Sequence, residues 1–97
     1  MDRETAPPAS GPTIHPDSNV LAKRVGDEVV LVHLETNRVY ELNRTAASLW
    51  DALANGATRA ELEQRLSQEF DVEPDELARE IDDLLGQLRS ARLTHMD

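Results

Sequence analysis

The chain of 97 residues contains no cysteine. That removes disulfides, thiolate catalysis and thiolate-based structural zinc, so its core must hold by packing alone. Aromatic residues are scarce too, with one each of Trp, Tyr and Phe. Positive charge is outnumbered: 10 Lys and Arg stand against 19 Asp and Glu, a formal net charge of -9. Such a surface repels phosphate backbones and anionic lipid unless its cations cluster, and here they are dispersed. No stretch approaches the ~18 consecutive apolar residues of a membrane span, and the start lacks the basic-then-apolar pattern of a secretory signal. The expected location is cytoplasmic, with neither nucleic acid nor membrane as a partner.

A hydrophobic content of 39% supports one compact domain with a single core. Four of the five prolines (Pro7, Pro8, Pro12 and Pro16) fall in residues 1–18, a stretch almost free of large apolar side chains. This composition predicts a disordered N-terminal tail over 1–18 and a folded domain over 19–94.

Within the domain, Val20 to Val25 reads as a first strand closed by the turn pair Gly26-Asp27. The valine- and leucine-rich run Glu28 to Leu34 and the run Arg38 to Leu42, linked by Glu35-Thr36-Asn37, read as a β-hairpin. Asn43 is placed to cap a helix with apolar residues at Ala46, Leu49, Trp50 and Leu53, ended by Asn55-Gly56. Thr58 and Glu61 form a capping box ahead of a second helix with Leu62, Leu66 and Phe70 at four-residue steps. Pro74 suits the first position of a third helix, Asp75 and Glu76 oppose the positive end of its dipole, and Leu77, Ile81, Leu84, Leu85 and Leu88 give it a broad apolar stripe. The expected fold is α+β: a three-stranded antiparallel sheet followed by a three-helix bundle, the outline of a winged helix-turn-helix.

Little in this pattern can do chemistry. His15, His33 and His95 lack the i, i+4 spacing that puts two metal ligands on one helix face. The acid pairs Asp75-Glu76 and Asp82-Asp83 point around a helix and do not face each other as a general acid and base would. Ser48 and Ser67 have no nearby His and no G-x-S-x-G turn, and the four glycines form no phosphate-binding loop. Trp50 sits at the centre of the first helix's apolar face, where core packing accounts for it. The reading is of a protein that is not an enzyme and uses no cofactor or metal. A winged helix raises DNA binding, but the third helix carries Glu73, Asp75, Glu76, Glu80, Asp82 and Asp83 against Arg79, Arg89 and Arg92, and counterion release rewards only cations. What is left is the last strand of the hairpin, Arg38 to Leu42. If its edge is open, it can accept an extended peptide as one more strand.

The stretch VVLVHLETNRVYELNRTAASLWDAL resembles the PqqD-like family, whose members show a strand hairpin, an aromatic before a Leu-Asn pair and a helix containing Trp; here these are Tyr40, Leu42-Asn43 and Trp50. The resemblance continues through NGATRAELEQRLSQEFDVEPDELAREIDDLLGQLRSARL, with a Gly after the first helix, an aromatic then Val72 after the second, and a Leu-rich last helix. It departs where Glu80 precedes Ile81, a position at which family members often have Asp. About three quarters of the chain is covered, the proline-rich tail being left out.

The resemblance implies a recognition element for ribosomally made, post-translationally modified peptides. The leader of the precursor would bind as an antiparallel strand in the cleft between the third strand and the third helix, here Arg38, Val39, Tyr40, Glu41 and Leu42 against the face of Pro74 to Arg89. On that helix Leu77, Ile81, Leu84 and Leu88 are expected to face the core and Ala78, Asp82 and Leu85 to line the cleft. Small Ala78 would admit the peptide backbone, Leu85 would floor an apolar pocket, and Asp82 or Glu41 would attract a cationic leader residue. The implied partners are the precursor leader and a leader peptidase or other modifying enzyme, with the lasso peptide pathway preferred. A peptide chaperone of the pyrroloquinoline quinone type serving a radical enzyme is the alternative, with a winged-helix DNA-binding protein or a structural adaptor as rivals from other classes. The expected state is a monomer or weak dimer.

Overall fold

Two-residue hairpins need a positive φ at the first turn position, and Gly26 supplies it at +63° between strands β2 (Val20–Val25) and β3 (Glu28–His33) of the computed structural model, which describes residues 12–96. Strand β4 (Arg38–Leu42) follows through a loop in which Asn37 takes φ +59° and its N–H donates to the His33 carbonyl at 2.8 Å. The three strands form an antiparallel sheet in the order β2-β3-β4. Alternation along β3 sends Val29, Leu31 and His33 into the core, with Tyr40 and Leu42 of β4 opposite Leu31 and Val29 on the same face. His33 is buried, and its Nδ1 accepts the Glu35 N–H at 3.2 Å.

Three helices complete the fold, the first of them packing directly on that face. Helix α1 (Arg44–Leu53) starts where the Asn43 side chain accepts the Ala46 N–H, and it buries Ala46, Ala47, Leu49, Trp50, Ala52 and Leu53. Helix α2 (Arg59–Glu69) begins with the complete capping box, Thr58 with Glu61, and buries Leu62 and Leu66. Helix α3 (Pro74–Ser90) has Pro74 in its first turn and buries Leu77, Ile81 and Leu88, while Leu84 and Leu85 are both half-buried against the core. It ends in a Schellman motif: the Leu93 N–H donates to the Leu88 carbonyl at 2.9 Å and the Arg92 N–H to the Arg89 carbonyl at 3.0 Å. Arg92 therefore occupies the left-handed position, φ +60°, that glycine usually fills, and Leu93 is buried beside Leu88.

The α+β class, the three-stranded sheet and the three helices match the sequence expectation, but two further strands extend it. Ile14–Pro16 forms β1 and Thr94–Met96 forms β5, and they pair antiparallel with Ile14 opposite Met96. The expected tail over 1–18 is thus corrected at its C-terminal end: Ile14 is buried and exchanges hydrogen bonds with Ala57 at 2.8 and 3.1 Å, and the Asp17 N–H donates to the Leu93 carbonyl at 2.9 Å. One large apolar residue with a backbone partner on each side is enough to order this segment. Residues 1–11 of that expected tail lie outside the described residues. The His15 and His95 rings stack across the β1–β5 pair, centroids 5.4 Å apart. Gly56 is required beneath them, because its φ is +87° and a Cβ there would stand 2.8 Å from the His15 ring.

Candidate functional site

Strand β4 is an edge of the sheet, and the hydrogen-bond pattern fixes which of its backbone groups face outward. The Leu34 N–H donates to the Asn19 carbonyl at 2.8 Å, so Leu34 and, by alternation, Val32 and Val30 direct their backbone groups toward β2. His33, Leu31 and Val29 must then direct theirs toward β4, where they meet Arg38, Tyr40 and Leu42. The N–H and C=O of Val39 and Glu41 are left pointing away from the sheet. This edge offers an incoming strand four backbone hydrogen bonds in antiparallel register.

Beside that edge lies a groove of about 870 Å³ between β4 and α3. One wall comes from Thr36, Arg38 and Tyr40, the other from Asp82, Asp83, Gly86, Gln87 and Ser90, and Ala91 and Arg92 complete it. Exposed Gly86 lines the groove, where a Cβ would meet nothing within 4 Å. A glycine inside a helix costs about 1 kcal/mol relative to alanine, and here it leaves a gap in the helix surface facing the open edge. A second groove of about 670 Å³ runs along the other flank of α3, between Leu85, Gly86 and Arg89 and the strand pair β1–β5, lined there by Ile14, Thr94, His95 and Met96.

Asp82 stands on the ridge between the two grooves and is ion-paired to Arg59 of α2. The same guanidinium donates to the Ala78 carbonyl at 3.0 Å and to Glu63 at 2.9 Å. Asp82 first, then Glu63, raises the Arg59 pKa above its ordinary value, against the opposing effect of burial. This cluster straps α2 to α3.

The structure brings only part of the expected site together. Arg38 and Tyr40 line the groove. Val39 and Glu41 present their backbone at the edge, but their side chains lie on the opposite face of the sheet, and Leu42 is buried. Pro74 is exposed at the start of α3, away from both grooves, and half-buried Ala78 is covered by Arg59. Leu85 belongs to the other groove, beside β5, so the apolar floor expected in the β4 cleft is not there. Asp82 does line the cleft, but with its charge already met by Arg59. Sequence reasoning passed over Thr36, Asp83, Gly86, Gln87, Ser90 and Arg92. A glycine inside a 17-residue helix, at its thirteenth position, is the one local signal that marks the groove.

The two serines considered as nucleophiles are both engaged in hydrogen bonds. The Ser48 hydroxyl donates to Glu69 at 3.0 Å and that of Ser67 to the Gln64 carbonyl at 2.8 Å. Among the described residues no group of three or more His, Asp or Glu could hold a metal, and no helix is long and apolar enough to cross a membrane.

Comparison with known proteins bears on the family and the fold. No curated protein matches the chain. Two solved structures share its fold. One, described as "TbiB1 in Complex with the TbiA(beta) Leader Peptide", is 26% identical with a TM-score of 0.80, covering 84% of this chain and 94% of that one. The other, "Lasso peptide synthetase B1 complexed with the leader peptide", is 23% identical with a TM-score of 0.75, covering 84% of this chain and 96% of that one. The family model for "Coenzyme PQQ synthesis protein D (PqqD)" matches residues 28–93, from the first residue of β3 to the residue that closes α3. The match spans well over half of the sequence, and this chain belongs to the PqqD family.

Proposed function

We propose that this protein is a non-catalytic recognition element that captures the leader of a ribosomally made precursor peptide as a fourth strand on β4 and delivers it to a leader peptidase or other modifying enzyme, in lasso peptide biosynthesis. The observation that carries the reading is the edge of β4, where the backbone groups of Val39 and Glu41 point away from the sheet and the neighbouring Arg38 and Tyr40 line the groove against α3. Support comes from the likeness to TbiB1, whose structure holds a leader peptide. The lasso assignment rests on the second similar structure, a lasso peptide synthetase B1. A pyrroloquinoline quinone type of chaperone is the alternative within the same family.

Main-chain pairing holds an extended peptide in register, and selection among peptides falls to alternate side chains entering the groove. Arg38 and Arg92 offer cations there, Asp83 and Gln87 offer acceptors, and Tyr40 offers a ring with a polar tip. Four ladder hydrogen bonds at about 1 kcal/mol each and two side-chain anchors at about 2 kcal/mol each give a gross gain near 8 kcal/mol. Ordering the peptide takes back about 2 to 5 kcal/mol, leaving a dissociation constant of tens of micromolar at best. Tighter binding requires charge matching in the groove beyond this minimum.

The test is fluorescence anisotropy of a labelled leader peptide from the precursor encoded beside this protein, with labelled duplex DNA in parallel. Saturable leader binding without a DNA response is the expected result. DNA binding with no leader binding would overturn the assignment.

A further inference from the structure

The sheet has a second face, turned away from the helices. Since Val29, Leu31 and His33 point inward, Val30 and Val32 point outward, and the register aligns them in two rows: Leu21, Val32 and Val39, then Lys23, Val30 and Glu41. Leu34 and Val25 continue the same alternation at either end. Among the described residues six large hydrophobic side chains are exposed, and four of them, Leu21, Val25, Leu34 and Val39, are on this face; Leu21 and Val39 are 59% and 61% exposed. Apolar side chains gathered on one face in this way mark a surface that another molecule covers.

We propose that this face is the contact between two copies of the chain, packed sheet against sheet about a two-fold axis parallel to the strands. Such an axis lays β2 of one copy over β4 of the other without shifting the rows. Leu21 then meets Val39 of the second copy, Val32 meets Val32, and Lys23 meets Glu41, with the reciprocal contacts made at the other edge. Opposite charges at the two ends of one row, flanking an apolar row, make the face its own complement, as an isologous contact requires. At the roughly 10 Å spacing of packed sheets, a lysine and a glutamate from facing strands can span the gap. A surface complementary to some other protein has no need of this symmetry.

The face is small. Three strands about 4.8 Å apart and six residues long at about 3.4 Å per residue cover roughly 300 Å² per copy, against about 800 Å² in a standard interface. The dimer is therefore weak, forming at high micromolar concentration, and the β4 edge and the α3 groove remain open in it.

Sedimentation velocity of the full chain at 0.15 M salt tests this, over loadings from about 10 µM to about 1 mM, the range in which so small a contact associates. A monomer–dimer equilibrium is expected. Leu21→Lys and Lys23→Glu should each weaken it at least tenfold, and the exchange Lys23→Glu with Glu41→Lys should restore it to within about threefold of the parent. All three positions are exposed, so unchanged thermal melting will show that the variants remain folded. A chain that stays monomeric at every loading, or a double exchange that associates no better than Lys23→Glu alone, overturns the proposal.

Discussion

Arg59 of α2 forms an ion pair with Asp82 of α3, and that pair stands on the crest separating the two grooves that flank α3. The pair is substantially exposed, so its own worth is small, within about 1 kcal/mol. Asp82→Asn should leave the melting temperature nearly unchanged, whereas Arg59→Ala also removes the bonds to Glu63 and Ala78 and should lower stability by about 1 kcal/mol. The raised pKa of Arg59 means that its contribution is fully present below the ordinary arginine value and is lost only as pH rises past the raised one. Urea melts should therefore show the Arg59→Ala deficit unchanged between pH 7 and pH 10, and a deficit that disappears at pH 10 would refute the assignment.

Parity along β4 gives a sharper test of the edge. Val39→Pro removes an outward amide that the sheet itself does not use, so the domain should stay folded while leader affinity falls about tenfold or more. Tyr40→Pro removes an inward amide bonded to Leu31 and should instead destabilise the fold by about 3 kcal/mol. Circular dichroism separates the two effects, and equal melting temperatures for the two variants would mean that the register is misassigned.

Gly86 sets stability against the groove. Gly86→Ala should raise helix stability by up to about 1 kcal/mol, since a Cβ there meets nothing within 4 Å. Gly86→Leu should keep most of that gain but project a side chain into the groove and weaken leader binding at least tenfold. If Gly86→Leu binds the leader as well as the parent does, the peptide does not pass over this residue.

Thr58→Ala dismantles the capping box with Glu61 and should cost about 1 kcal/mol, or 4 to 8 °C in melting temperature for a domain of this size, as read by differential scanning calorimetry.

How far the sequence foretold this depends on how local each cause is. Asn43, the Thr58–Glu61 box, Pro74 and Gly26 act on backbone groups within a few residues, and each element starts or turns where its residues say it should. The strands β1 and β5 have three residues each, too few for a period, and pair with partners about eighty positions away in sequence. Pro16, a residue that weakens any strand assignment, sits at the end of β1, with Thr94 opposite. Leu85 fails for a different reason. Helical spacing puts it at the border of the apolar stripe, but which border faces β4 depends on how α3 is rotated against the sheet, and that is settled by packing between distant elements. The resemblance names a strand and a helix, and which flank of that helix borders β4 follows only from the packing.

The pairing of Ile14 with Met96 brings the two ends of the described chain side by side on one surface. A unit whose entry and exit points coincide can be spliced into a surface loop of a host enzyme without prising that loop apart. Joined this way to a host, the domain would keep its β4 edge free, and a peptide bound there as proposed would be held at a fixed distance from the host's active site. The tether would leave through one doorway, and the peptide would enter through another.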